Sequence, residues 1–382
     1  MIKGEHMKAI LVLEDGSSFE GLSLGTAGEA VGEVVLNTAV VGYQEMVTDP
    51  ANAGRILILT YPLIGNYGAA KKFGESEKCR VAALVIKELS RTYSNWQAEG
   101  SFEDFLKKEG TPALSDIDTR TIAVTIRDKG EMMGIVSTGS TSKEELLKKL
   151  ASHKNSKIGL IKELSTKSPY EIKGGHNGAR MAVLDLGVTN SLLKQLTGMG
   201  CAITVLPYNT TPKEILSKKY DGLIVSGGPE NDASLGDVSG TVKEILGKVP
   251  IMGIATGHQV IALALGARLK KMKIGHHGVN YQIKWKDGFK GEVTVQNHSY
   301  VIDEDSIKSA KSVNISARNI NDDTIEELES RPLRFISTQY VPASPGFDEI
   351  NQAMLRFMKI VGKSPKANIP VKASSEVQYA KE

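Results

Sequence analysis

The sequence predicts an α/β protein whose second half is a doubly wound parallel sheet, preceded by a mixed β/α N-terminal region. Three observations lead to this expectation. From Arg180 onward, short apolar runs alternate with helical segments at intervals of roughly 20 to 30 residues, the rhythm of βαβ units. Before about residue 150, short β-branched runs bounded by Gly, Pro and Asn predominate. The length of 382 residues corresponds to about two domains at roughly 150 residues each.

Lys8–Leu13 alternates as a strand should and meets a turn at Glu14–Ser17. Val34–Leu36, Ile56–Thr60 and Val81–Ile86 read as further strands. Phe102–Glu109, Asp118–Asp128 and residues 142–150, the last rich in Lys, Glu and Leu, read as helices. Together these make an N-terminal domain over residues 8–150. Residues 151–178 read as a linker, because Ser165–Ser168 is polar and Gly174–Gly178 offers few packing residues. The second domain spans 179–362. It opens with strand Met181–Leu186, helix Ser191–Met199 closed by Gly200, and strand Ile203–Leu206. Helix Pro212–Lys218, with Pro at its start, strand Gly222–Ser226 and helix Thr241–Leu246 follow. Strand Pro250–Ile254 then runs into helix His258–Leu265. Residues 363–382, rich in Lys, Pro, Ala and Ser, are expected to form a disordered tail. Met7 reads as the natural start, with residues 1–6 an upstream extension.

Composition mainly excludes. Hydrophobic residues at 41% and charged residues at 24% are ordinary for a globular protein. A net charge of +3 is too weak to imply nucleic acid or an anionic membrane. No apolar run is long enough to cross a bilayer, and MIKGEHMKAI has no signal core. Cys79 and Cys201 show neither metal-ligand spacing nor a disulfide framework, so a cytoplasmic setting is expected. Cys79 lies between Lys78 and Arg80, a basic setting that would lower a thiol's pKa. Cys201, after Gly200 and before a strand, reads as core packing. His258, His276, His277 and His298 lack ligand-like spacing, and no metal is expected in this chain.

The sharpest local feature is Gly253-Ile254-Ala255-Thr256-Gly257-His258-Gln259, between a buried strand and a helix. Two glycines flanking a three-residue turn are what a nucleophile elbow needs, because the tight turn leaves no room for Cβ atoms at its flanks. The apex then sits near a helix N-terminus, where a developing anion would be stabilised. Here the apex is Ala255, which has no nucleophilic atom. On this motif alone, a strand–turn–helix with glycines kept for packing accounts for the residues equally well.

Further runs decide between these readings. Lys273-Ile274-Gly275-His276-His277-Gly278, Gln296-Asn297-His298-Ser299-Tyr300 and Gln339-Tyr340-Val341-Pro342-Ala343-Ser344-Pro345-Gly346 follow in order. In the first half stand Gly42-Tyr43-Gln44-Glu45-Met46, Thr48-Asp49-Pro50, Thr60-Tyr61-Pro62-Leu63-Ile64-Gly65-Asn66-Tyr67-Gly68 and Asp116-Ile117-Asp118-Thr119-Arg120. Over roughly residues 8 to 360 the chain resembles the small subunit of carbamoyl-phosphate synthase, a class I glutamine amidotransferase. The resemblance implies a class I glutamine-amidotransferase-like fold for 179–362, with a crevice between elbow 253–259, loop 226–232 and segment 296–300. It implies hydrolysis of glutamine and delivery of ammonia to a large subunit that makes carbamoyl phosphate for arginine and pyrimidine synthesis. ATP and Mg would bind that large subunit, since this chain has no Walker-type loop.

The chain departs from the family at the site itself. The family's Cys–His–Glu triad maps onto Ala255 for the nucleophile and Val341 for the base, and the acid is deleted where Pro342 runs into Ala343. Glu230 stands where the family has a glycine whose N–H is expected in the oxyanion hole, beside Gly228. A carboxylate there would repel a developing oxyanion. Ala51 loses a hydroxyl that the resemblance assigns to the glutamine site. Thr256 replaces Leu, and Ser299-Tyr300 replaces Gly-Phe. Gln259 and Asn297, substrate contacts by resemblance, remain, and Gly228, Ala51, Thr256, Ser299 and Tyr300 stand at the other substrate-binding positions that the resemblance assigns. The Thr256 hydroxyl, beside the apex, is expected to point elsewhere. Loss of a triad costs on the order of 10⁴–10⁶ in rate.

The leading expectation is therefore a glutaminase-deficient small subunit acting as structural or regulatory partner of an ammonia-using large subunit. Docking would occur largely through the N-terminal domain, whose polar residues Gln44, Glu45 and Asn66 are poorly explained by packing alone. An alternative is a non-hydrolysing glutamine sensor or a scaffold. A third is a working amidotransferase that uses other residues.

Overall fold

The computed structural model describes residues 7–139, 141–153, 159–175, 178–286, 291–308, 310, 312–346 and 349–363. Residues 1–6 and, apart from Lys363, the expected tail lie outside them.

The N-terminal region is a closed barrel of seven strands: β1 (Lys8–Leu13), β2 (Ser18–Gly25), β3 (Glu29–Asn37), β4 (Ile56–Ile64), β5 (Ala83–Leu89), β6 (Pro112–Ser115) and β7 (Met133–Ser137). The order around the barrel is β1-β2-β6-β5-β4-β3-β7. β3, β4, β5 and β6 pair in parallel and the remaining pairs are antiparallel. The parallel pairs need crossovers, and these carry the helices Tyr43–Thr48 and Phe102–Lys108. Inward positions such as Leu11, Val34, Ile58, Val85 and Leu114 fill the interior. Ser101 and Asp118 cap the helices Phe102–Lys108 and Thr119–Lys129 through their side-chain oxygens. β2, β6 and β7 were not foreseen: β2 mixes polar residues on both faces, and β6 has four residues.

Among the described residues the second sheet has ten strands. They are β8 (Tyr170–Ile172), β9 (Arg180–Asp185), β10 (Ala202–Pro207), β11 (Gly222–Val225), β12 (Ile251–Ile254), β13 (Leu269–Trp285), β14 (Gly291–Ile302), β15 (Asn314–Asn319), β16 (Ile325–Ser330) and β17 (Phe335–Thr338). Their order is β14-β13-β15-β16-β17-β12-β11-β9-β10-β8. The middle, from β17 through β12, β11 and β9 to β10, is parallel. Its helices cover both faces: Val238, Val242 and Val260 pack on one, Leu196, Phe357 and Met358 on the other. The chain steps from β9 outward to β10 and then back past β9 to β11, so the strand order reverses there and opens a crevice beyond the C-terminal ends.

The stretch expected as a linker contributes a helix, Leu160–Leu164, and the edge strand β8. The helix expected at Thr241–Leu246 begins earlier and spans Leu235–Ile245. Its first turns contain Gly236, Asp237, Ser239 and Gly240, which are weak helix formers that only packing holds in place.

The ring of Phe357 is fully buried between helix Gln352–Val361 and the sheet. Phe357→Ala should lower the unfolding free energy by about 3–5 kcal/mol, read from urea denaturation. A change near zero would show that the last helix does not pack there in solution.

Candidate functional site

β12 delivers the chain to Ala255, and helix Thr256–Ala264 starts immediately after it. Ala255 has φ 49° and ψ −110°, a conformation L-residues avoid at a cost of order 1–3 kcal/mol. Both flanking glycines are required by close approach. A Cβ on Gly253 would lie 2.6 Å from the Gly257 carbonyl oxygen, and one on Gly257 would lie 2.1 Å from that of Val225. The backbone is thus a nucleophile elbow with a methyl group at its apex. The Thr256 hydroxyl donates to the Gly228 carbonyl at 2.6 Å and points into the neighbouring loop, not the crevice. His258 Nδ1 lies 2.8 Å from Ser337 Oγ, and burial holds this imidazole down at about 3, so it is neutral.

Ala51, Gly228, Ala255, Asn297, Val341 and Pro342 line one small cavity of about 30 Å³. That is room for about two waters. The positions assigned by resemblance to nucleophile and base therefore do meet, as Ala255 and Val341. Neither offers a reactive atom. Val341 N–H donates to Val295 O at 2.9 Å, and the Pro342 carbonyl accepts from Gln195 Nε2 at 2.7 Å.

Beside the cavity, the Glu230 carboxylate is almost completely enclosed, its side chain 2% exposed. Oε2 accepts from Arg55 Nη2 at 2.9 Å and from Ser299 N–H at 2.6 Å. Oε1 accepts from Gln259 Nε2 at 2.5 Å and from Tyr300 N–H at 3.3 Å. Burial works against the Arg55 charge, but Glu230 beside it holds the guanidinium above its ordinary pKa. Gln259 is further tied to the Tyr300 carbonyl at 3.1 Å. Asn297 and Gln259, expected as substrate contacts, are thus both committed to protein groups. Asn297 Nδ2 donates to Asp49 Oδ2 at 3.2 Å, and its Oδ1 lies 2.8 Å from His277 Nδ1.

His277 Nε2 lies 3.1 Å from Glu131 Oε1 and 3.1 Å from Ser299 Oγ. Both ring nitrogens face oxygen. Burial would raise Glu131, but its hydrogen bond to His277 and that residue's charge prevail and hold it at about 2. Burial pushes Asp49 up to about 6. Arg55, Glu131 and Asp49 belong to the barrel, whereas Glu230, His277 and Asn297 belong to the ten-stranded half. The crevice is therefore stitched across the junction of the two halves. Lys271 and Glu33, 2.5 Å apart, and Ser191 N–H donating to Glu75 Oε2 at 3.0 Å extend the stitching.

Arg55 and Glu131 were not foreseen as site residues. Each is a lone charge next to a strand, in no spaced motif, and only the fold brings it to the crevice. Cys79 corrects an expectation: burial, not its basic neighbours, dominates and pushes the thiol up to about 11. Its Sγ donates to the Val47 carbonyl at 3.4 Å. Cys201 is buried in the core as expected. His276 and His298 come together with Glu326 despite their sequence spacing, with candidate ligand atoms within 4.8 Å of one another. These three could hold a cation if the Gln296 side chain moved aside. Its Oε1 lies 2.8 Å from His276 Nδ1 and 2.9 Å from His298 Nε2. Among the described residues, no helix is long and apolar enough to cross a membrane.

Comparison with known proteins gives two family matches. The carbamoyl-phosphate synthase small chain, CPSase domain, matches residues 11–136, and glutamine amidotransferase class-I matches residues 182–347. The carbamoyl phosphate synthase small chain of Listeria innocua is 37% identical over 93% of this chain and 97% of its own length. The pyrimidine-specific small chain of Bacillus subtilis is 38% identical over 94% and 98%. The chain belongs to the carbamoyl-phosphate synthase small-chain family. Within a small-chain framework, the elbow backbone persists while the groups around it hold one another.

Two outcomes are expected. Ala255→Gly should raise stability by about 1 kcal/mol, because glycine relieves the apex strain and loses only a methyl group. A loss of stability in thermal and urea melts would contradict the strained apex. Glu131 is held at about 2 against an ordinary 4.5, so its contribution is complete above pH 4.5 and is lost as pH falls towards 2. The stability gap between wild type and Glu131→Gln, read from urea midpoints, should therefore narrow across that window. A gap independent of pH would refute the lowered Glu131 carboxyl.

Proposed function

We propose that this small chain does not hydrolyse glutamine and serves as the structural or regulatory partner of a carbamoyl-phosphate synthase large subunit that uses free ammonia. The observation that carries the reading is the elbow: a strained backbone built to present a nucleophile presents the methyl of Ala255, with Val341 across a cavity too small for an amino acid. A thiolate attack, a base to relay its proton and an open oxyanion hole are each without the group they need. ATP and Mg would act on the large subunit.

Partner docking is supported by the barrel's exposed side chains. Gln44 does not contribute to this, because its amide is bonded internally to the Ala70 carbonyl at 2.9 Å and the Ala70 N–H at 3.0 Å. Asn66 is exposed, and near it stand Tyr93 and Trp96, 45% and 90% exposed. Val40 and Val41, 55% and 62% exposed, precede Gly42, whose N–H donates to Tyr67 Oη at 2.7 Å. Apolar side chains this exposed on one end of a barrel suit a protein partner. The small size of the pocket favours this role over that of a glutamine sensor.

Purified chain with glutamine should release no ammonia above background, with or without a large subunit. Ala255→Cys should be equally inactive, since no base stands at Val341. With the cognate large subunit, the chain should co-elute in size-exclusion chromatography at micromolar concentration. The complex should make carbamoyl phosphate from ammonia and not from glutamine. Glutamine-dependent synthesis would overturn the proposal, and failure to co-elute would remove the partner role.

A further inference from the structure

The donors around Glu230 form more than an ion pair. Two successive backbone N–H groups, Ser299 and Tyr300, a guanidinium and a side-chain amide converge on one carboxylate, two donors to each oxygen. Such a set, with adjacent main-chain N–H groups and an arginine, is how proteins capture a free carboxylate. The donors arise from three separate segments: the approach to β4, the elbow helix and β14. The carboxylate comes from a fourth, the loop after β11, where the chain turns through Asn231 at φ 52°.

The filling is imperfect in an informative way. Arg55 Nη1 and Gln259 Oε1 are both buried and have no hydrogen-bond partner among the described residues. Leaving such groups unpaired in the interior is costly. One is a spare donor suited to a further carboxylate oxygen, and the other a spare acceptor suited to an ammonium group. A side chain reaching in from the loop satisfies the carboxylate part of this site and leaves these two groups unused.

We propose that Glu230 is a tethered ligand: its carboxylate occupies a preformed carboxylate-binding cradle and excludes free α-amino acids, and removing it reopens the cradle to them. This deepens the reading that the crevice has lost its glutaminase chemistry and rests on it. The site becomes a binding pocket closed from within. Its specificity on reopening is for small carboxylates, with α-amino acids favoured by the spare acceptor.

The test is Glu230→Gly in the full chain, titrated with acetate, glutamate and glutamine and followed by calorimetry and thermal melting. The variant should bind all three, glutamate and glutamine more tightly than acetate, and its melting temperature should rise with ligand concentration. Wild type and Glu230→Gln, which keeps the space filled, should show no response. Adding Arg55→Met to Glu230→Gly should weaken binding by at least about tenfold, the loss of one charged hydrogen bond. If Glu230→Gly does not fold unaided, refolding yield gives the answer: acetate and glutamate should raise it above chloride at equal ionic strength. A folded variant that binds no carboxylate, or equal yields in all three anions, overturns the proposal. So does wild type binding glutamine as tightly as the variant. Absence of binding with absence of hydrolysis refutes only the tethered ligand. Hydrolysis by wild type refutes the functional reading itself.

Discussion

The arrangement of the two halves depends on charge buried between them. Arg55 and Glu230, 8% and 2% exposed, are removed from water where the barrel meets the ten-stranded sheet. Taking such charges out of water costs several kcal/mol per ion, and only close, multiply bonded partners offset that. Glu230 has four donors, so the penalty is met only while the halves stay in register. Glu131 and His277 repeat the arrangement a few residues away. Together these pairs favour one relative placement of the halves, because any shift leaves a buried charge alone. The same network closes the crevice, so a single set of interactions accounts both for the rigidity of the junction and for the shortage of space beside Ala255.

The elbow shows the opposite economy. Its apex is held in an unfavourable conformation, its flanking glycines are hemmed in by Val225 and by each other, and the apex side chain is a methyl group. Strain at such a turn normally accompanies a reactive side chain. Here it persists because the neighbouring packing requires the turn: the carbonyl of Thr338 accepts from Ala255 N–H at 2.8 Å, and Thr256 is bonded to the loop after β11. The turn is held by the sheet built around it.

Much of this was legible in the sequence, for identifiable reasons. β9, β10, β11 and β12 are short apolar runs between glycine, proline and polar punctuation, and each was recognised to within a residue or two. The elbow could be read because glycine spacing reports backbone crowding directly. The long hairpin of β13 and β14 was visible only as the runs around His276 and His298, since its alternation is broken by bulges between Lys271 and His276 and between Gly278 and Tyr281. Residues 151–178 looked structureless because their helix and strand are short and lean on the rest of the chain. Glu230 was conspicuous as a charge in place of a glycine, and its expected effect was repulsion. That Arg55 would come to neutralise it was hidden, because 175 residues separate them and no local pattern links them.

The closed barrel has a further consequence for assembly. A barrel whose seven strands are all paired offers no open edge, so a partner cannot join it by adding a strand. Contact there must be made by loops and side chains, with Trp96 and its neighbours the apolar candidates. The ten-stranded sheet differs, because it ends on β14 at one side and on β8 at the other. β8 is only three residues long, too short to template an intruding strand. The segment that looked like mere spacer thus acts as a hem, finishing the sheet where an open β10 would otherwise invite association between copies.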